Sequence, residues 1–206
     1  NPEKEHDGLR KLNIDLILKE DANYPLLLKE IAWPPFGLYV RGNISIAKKP
    51  AIAMVGTRKA TEQGLKIAGQ LASELSQKLI IVSGLALGID EASHWGAIGS
   101  GGKTIAVIAC GLERIYPAQN KNLADKIIKL GGAIISEYPL KTVTFPNHFL
   151  ERNRIISGLS LGTIVVEAPE KSGALATAKF ALEQNRDVFA IPGPIYHENS
   201  DGVNNL

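Results

Sequence analysis

Cysteine is nearly absent. Among 206 residues there is one, Cys110, inside the apolar run "TIAVIAC". An internal disulfide is therefore excluded, and Cys110 reads as a reduced, buried core residue of a cytosolic (cytoplasmic) protein. Long apolar runs are also missing. None approaches the roughly 20 residues that a membrane-spanning helix needs, so no membrane partner is expected. The opening "NPEKEHDGLRK" is polar and charged and carries no signal-peptide pattern. With no Met at its start and an abrupt "DGVNNL" at its end, the chain is expected to be a fragment of something longer. Neither sign of charge dominates: 23 Lys and Arg face 21 Asp and Glu, for a net charge of +2. That excludes a uniformly basic surface and leaves room for a local basic patch. The four histidines, His6, His94, His148 and His197, lie in unrelated segments without a cysteine cluster, so no metal site is expected. His94, in "GIDEASHWGA", reads as a helix-packing residue.

What is present is apolar material, 45% of the chain, enough to build a core. From residue 50 onward short β-branched runs alternate with longer amphipathic ones. Strands are predicted at 51–55, 79–83, 104–109, 133–137, 163–168 and 187–192, with helices at 61–78, 88–99, 119–130, 147–158 and 172–185. The strand runs are continuously apolar, as in strands buried on both faces. The predicted fold class is α/β, a doubly wound, mostly parallel sheet. Residues 1–49 break the rhythm. "IDLILKED" and "FGLYVRG" read as extra strands, punctuated by Pro25, Pro34 and Pro35. They are expected to form an N-terminal extension packed on the 50–206 core.

Three catalytic or cofactor motifs fail on context. Gly158-Leu159-Ser160-Leu161-Gly162 matches the G-x-S-x-G nucleophile elbow, but an elbow runs from strand to helix. Here a helical pattern precedes Ser160 and a strand follows, so Ser160 belongs to a turn. "GSGGKT" resembles a phosphate loop, yet Ala97 stands where its first Gly is required and the direction is again reversed. The dinucleotide fingerprint is missing after the first core strand, which continues "VGTRKATEQG". No cofactor is expected.

In an open parallel sheet, ligands bind beyond the carboxyl ends of the strands. The residues there are small: Gly56, Thr57 and Arg58 after the first core strand, Ser83 and Gly84 at the second, and Ser172 and Gly173 opening the last long helix. Glycine admits a ligand to the backbone, and helix N-termini attract anions. Arg58 and Lys121 would add full charge, which suits phosphate. Turn geometry alone also explains the glycines. The segment "FPNHFLERNR" interleaves Phe145, His148 and Phe149 with Arg152, Asn153 and Arg154. Cations for phosphates and rings for bases are what single-stranded nucleic acid requires. The competing reading is a helix with Phe149 in the core and both arginines solvated or paired with Glu151 or Glu167.

Taken in order, the motifs resemble the DNA-processing protein A (DprA, or Smf) family. The matching stretches are "YPLLLKEIAWPPFGLYVRG", "MVGTR", "SGLALGID" with His94, "GGKTIAVIACGLERIYPAQN", "SEYP", "FLERNRIISGLSLGTIVVEA", "SGALATAKFALEQNRDVFAIPG" and "SDGVNNL", spanning about residues 24–206. The resemblance implies an extended Rossmann-like fold and a non-enzymatic protein. It would bind single-stranded DNA without sequence preference, form homodimers and help load the RecA recombinase on incoming DNA in natural transformation. It places Arg58 in the family's basic pocket, with Thr57 for the family's Ser, and maps the Arg-Asn-Arg stretch onto Arg152, Asn153 and Arg154. One departure is Leu87, where members often carry Arg.

Two rival readings remain open. One is a nucleoside-monophosphate phosphoribohydrolase of the LOG type, whose P-G-G-x-G-T-x-x-E loop supplies a catalytic Glu. Here "EKSGALATAKF" has no Glu in the first helical turn, and Glu183 comes too late. The other is a sensor domain binding a small nucleotide on the same rim.

Overall fold

The computed structural model of the protein describes residues 2–206. In chain order its elements are α1 (Pro2–Lys11), β1 (Asp15–Leu18), α2 (Leu26–Lys29), β2 (Gly37–Gly42), β3 (Ala51–Val55), α3 (Glu62–Leu75), β4 (Ile80–Ser83), α4 (Ile89–Gly99), β5 (Thr104–Val107), α5 (Lys121–Lys129), β6 (Ala133–Ser136), α6 (Pro146–Gly158), β7 (Gly162–Val165), α7 (Gly173–Glu183), β8 (Asp187–Ala190) and α8 (Glu198–Asn204). All eight strands join one sheet in the order β1-β2-β6-β5-β4-β3-β7-β8. The six strands from β6 to β8 are parallel. β2 pairs antiparallel with β6, and β1 with β2, so the N-terminal extension lengthens the sheet at one edge.

Strand alternation sends successive side chains to opposite faces. Ala53, Val55, Val82, Ile105, Val107 and Ile135 meet Ile155 and Ile156 of α6, Leu159 at its C-terminal cap, and Ala174 and Ala178 of α7. On the other face Ile52, Met54 and Ile81 meet Ala68 and Ala72 of α3 and Ala97 of α4. Farther along, Ala106 and Ile134 meet Leu123, Ala124 and Ile127 of α5. The doubly wound α/β class is thus the observed one.

The chain order of the strands reverses at β3, which has β4 on one side and β7 on the other. The helices that follow β3 and β7 leave on opposite faces. Their departure opens a crevice at the carboxyl ends of these two strands, the place where such sheets bind ligands. Backbone bonds stitch its base: Val166 N–H donates to the Val55 carbonyl at 3.1 Å and Thr57 N–H to the Glu167 carbonyl at 2.7 Å.

Three helices escape the sequence pattern. α1 is too polar to show an apolar period, and α2 is a single turn between prolines. α8 lies in "ENSDGVN", which has no apolar period of its own, yet Val203 is buried and its N–H donates to the Ala168 carbonyl at 3.1 Å. Tertiary contact overrides weak local propensity there.

Candidate nucleic-acid interface

A cleft of about 330 Å³ fills the crevice. β3 supplies Gly56, Thr57 and Arg58 as it leaves the sheet, α7 supplies Ser172 and Gly173, and α6 supplies Phe149, Arg152 and Asn153. Gly56 is required by close approach: a Cβ there would stand 2.5 Å from Cγ1 of Ile89 and 2.9 Å from the Glu167 carbonyl. Thr57 is braced on both sides of its own backbone, and its carbonyl accepts from Ile89 N–H at 3.3 Å. The strand end is thereby rigid, and Arg58 projects from it into solvent.

Arg58 makes no ion pair among the described residues. Its guanidinium lies over the Phe149 ring, 5.1 Å from the centroid. Phe149 in turn meets Tyr116, with centroids 5.6 Å apart and planes tilted by 54°. Phe149 therefore sits at the mouth of the cleft between a cation and a second ring, and not in the core. Lys59 and Lys171 add charge at the same mouth.

Which helix start can take an anion is decided by what already occupies each one. At α3, Thr61 caps Gly64 N–H, and Glu167 accepts from Thr61 N–H at 3.0 Å and from its hydroxyl at 2.5 Å. At α4, Ile89 N–H is taken by Thr57. α7 is different: Ser172 caps Ala174 N–H at 3.2 Å, and the space above Gly173 is open for 4 Å. Asn153, nearly buried, holds this start in place by donating to the Gly173 carbonyl at 3.0 Å. Leu175 N–H donates to the Ser172 carbonyl at 3.1 Å, so the dipole of α7 and the N–H of Gly173 are what this start offers to the cleft beside Arg58.

The two arginines of the Arg-Asn-Arg stretch part company. Residues two apart on a helix point about 200° from each other. Arg152 lies under the cleft and is only 5% exposed. Its Nη1 donates to the Gly84 carbonyl at 2.6 Å and to the Val107 carbonyl, while Nε has no partner among the described residues. Beside it is buried Asp90, whose Oδ2 accepts from Gly84 N–H at 3.1 Å and Ala86 N–H at 3.4 Å. Burial pushes the Arg152 pKa down to about 10 and that of Asp90 up; each opposes the other's shift, so Arg152 remains a cation at neutral pH. Arg154 is outside the cleft. It forms a two-point pair with Glu137, at 2.9 and 2.6 Å, and not with Glu151 or Glu167 carboxylates.

Two further rim expectations do not reach the cleft. Ser83 is fully buried and its hydroxyl donates to the Met54 carbonyl at 2.6 Å, cross-linking β4 to β3. Lys121 is exposed at the start of α5 and does not line the cleft. The segment before it contributes Tyr116, and Asn120, whose amide donates to the Leu85 and Ala86 carbonyls at 3.0 and 3.3 Å. Lys59, Lys171, Asp90 and Tyr116 were not singled out from sequence. Lys59 and Lys171 were signalled by adjacency to Arg58 and Ser172, and Tyr116 by opening "YPAQNKN" (116–122), which follows the third core strand at the rim; nothing local signalled Asp90.

Ser160 is buried in the turn between α6 and β7, and its hydroxyl is spent on the Ile156 carbonyl at 3.0 Å. No group of three or more His, Cys, Asp or Glu side chains suited to a metal occurs among the described residues. None of their helices is long and apolar enough to cross a membrane.

The sequence profile of DNA recombination-mediator protein A matches residues 15–206. The chain belongs to that family, the DprA/Smf proteins. It is 46% identical over 186 residues to the DNA processing protein DprA of Streptococcus pneumoniae, covering 90% of this chain and 66% of that one. The chain thus spans just under two thirds of the length of this curated relative. The X-ray structure of the S. pneumoniae DprA superposes with a TM-score of 0.90 at 43% identity, over 98% of this chain and 71% of that one. DprA of Helicobacter pylori, solved for its single-stranded DNA binding mode, superposes with a TM-score of 0.85 at 31% identity, over 95% and 87%. Both bear out the Rossmann-like fold. In this DprA/Smf chain Leu87 lines a narrow side pocket with Arg58, Tyr116 and Phe149, so the position often held by Arg adds apolar surface to the mouth.

Proposed function

We propose that this chain binds single-stranded DNA without sequence preference, and that it does so by running the strand across the mouth of the β3–β7 crevice. The observation that carries this reading is Arg58, unpaired, lying on Phe149 beside the open N-terminus of α7. A phosphate over α7 would meet the Gly173 N–H, the helix dipole and a guanidinium together, and charge-assisted bonds of this kind are the strong ones. Tyr116, 43% exposed, offers a ring face to an adjacent base, and Phe149 supports both Tyr116 and Arg58 from behind. Such stacking contributes about 1–3 kcal/mol per base and tolerates any sequence. A duplex keeps its bases stacked inside and offers none to this ring.

The recombination-mediator description of the family supports the further reading that the chain helps load RecA on DNA; with it we propose a cytoplasmic homodimer acting on incoming DNA during transformation. It acts by binding and not by turnover. The acid lining the cleft, Asp90, is buried beside the Arg152 cation and accepts from two backbone N–H groups, so it is not free to serve as the acid of the phosphoribohydrolase reaction. Anisotropy titrations with single- and double-stranded oligonucleotides of one length, at several salt concentrations, test the reading. Tight single-strand and weak duplex binding is expected; equal or tighter duplex binding overturns it.

A further inference from the structure

A second concave surface lies far from the crevice. It is a groove of about 330 Å³ between the C-terminal halves of α4 and α5, lined by Trp95, Ile98, Gly99, Lys126, Lys129 and Leu130. Both helices begin at the carboxyl ends of their strands and run back across the sheet, so their last turns lie at its opposite end. Anything bound here leaves the DNA cleft accessible.

The lining is chemically divided. Its floor is apolar: Trp95 is half-buried, Ile98 is buried and Leu130 is 50% exposed. Its rim is cationic. Lys126 and Lys129 pair with no carboxylate among the described residues. The ammonium of Lys126 lies 4.6 Å from the Trp95 ring centroid, over the groove. Lys103 lies over Gly131, directly after Leu130. The dipole of α5 accounts for lysines at its end, but not for the bulky apolar floor they frame. The ring face of Trp95 is covered by the Lys126 ammonium and is not open to stack a base, whereas Ile98 and Leu130 can bury apolar residues of a peptide.

The geometry points to a docking site for an acidic peptide segment of a partner protein, anchored by large apolar side chains in the groove and held by carboxylates on Lys126 and Lys129. Apolar anchors supply the affinity of such grooves, and complementary rim charges supply encounter and selectivity.

The chain has two tryptophans, so Trp33→Phe leaves Trp95 as the sole one and a direct reporter. The probe is a synthetic peptide, acetyl-Asp-Glu-Leu-Asp-Asp-Leu-Phe-Asp-amide. Two controls replace its acids by Lys, or its Leu and Phe by Ser. A saturable change in Trp95 emission is expected with the acidic apolar peptide alone. Lys126→Glu with Lys129→Glu should weaken that binding about tenfold or more and leave single-stranded DNA affinity and the thermal midpoint unchanged. No saturable change, equal binding of either control, or unaltered binding by the double variant would overturn the proposal. So would a loss of DNA affinity in the double variant, which would assign these lysines to nucleic acid.

Discussion

The guanidinium of Arg152 occupies the space that a side chain at position 84 would need. Its Cζ stands 2.7 Å from where the Cβ of residue 84 would be, and its Nη1 donates to the carbonyl of Gly84 itself. A contact across 68 residues therefore shapes the loop from 84 to 88, including Leu85, which is fully buried at φ +57°. Gly84→Ala must displace either the loop or the guanidinium. The expected cost is that of overpacking a core, about 1–3 kcal/mol, which lowers the thermal midpoint by several degrees in a domain of this size. A calorimetric scan checks it; an unchanged midpoint would mean that the loop is free to move.

Arg152 shapes the site from beneath, so its loss should have a distinctive signature. Arg152→Ala leaves Asp90 buried without its cation, which costs about 3–5 kcal/mol of stability. Arg152→Lys keeps the charge and loses the two-carbonyl grip. For the lysine variant, single-stranded DNA affinity should fall while the salt dependence of binding stays that of the parent, because no phosphate contact is removed. A shallower salt dependence would place Arg152 on the DNA.

His94 gives a pH dependence. It is fully buried, and the proton of Thr104 Oγ1 goes to the Ile81 carbonyl at 2.6 Å. The 2.7 Å contact between Thr104 Oγ1 and Nδ1 therefore requires Nδ1–H as the donor, leaving Nε2 an acceptor without a partner among the described residues. Burial, helped by the Arg152 charge, pushes the pKa down from 6.5 to about 3. Between those values the unfolded chain binds a proton that the folded chain does not. Stability should thus fall as pH drops below about 6.5, by about 1.4 kcal/mol per pH unit from this group, and level near pH 3. Urea unfolding at pH 7, 6, 5 and 4 should show His94→Gln less pH-sensitive by one proton. Parallel profiles would contradict this.

Much of the fold was legible in the sequence because the core strands are apolar on both faces and alternate with amphipathic helices. Except for 51–55, the observed strands run one or two residues shorter, since ladder pairing ends before apolar character does: the strand in "TIAVIA" spans Thr104–Val107. Arg58 was legible as a cleft residue because it follows a buried strand directly. Arg154 was not separable from Arg152, because the rotation of α6 about its axis is set by how Ile155, Ile156 and Leu159 seat on the sheet. Asp90 carried no local signal. Its role exists only once loop 84–88 folds back over it and Arg152 arrives from α6.

The most direct test of the DNA path is the salt dependence of single-strand binding in Arg58→Ala. Each phosphate contact contributes about −0.7 to the log–log slope of affinity against salt. The variant should fold as the parent does, since the side chain is exposed, and bind all sequences more weakly. Its slope should be shallower by about one such contact. If Arg58→Ala folds normally and binds with unchanged affinity and slope, the strand does not cross the mouth of the β3–β7 crevice.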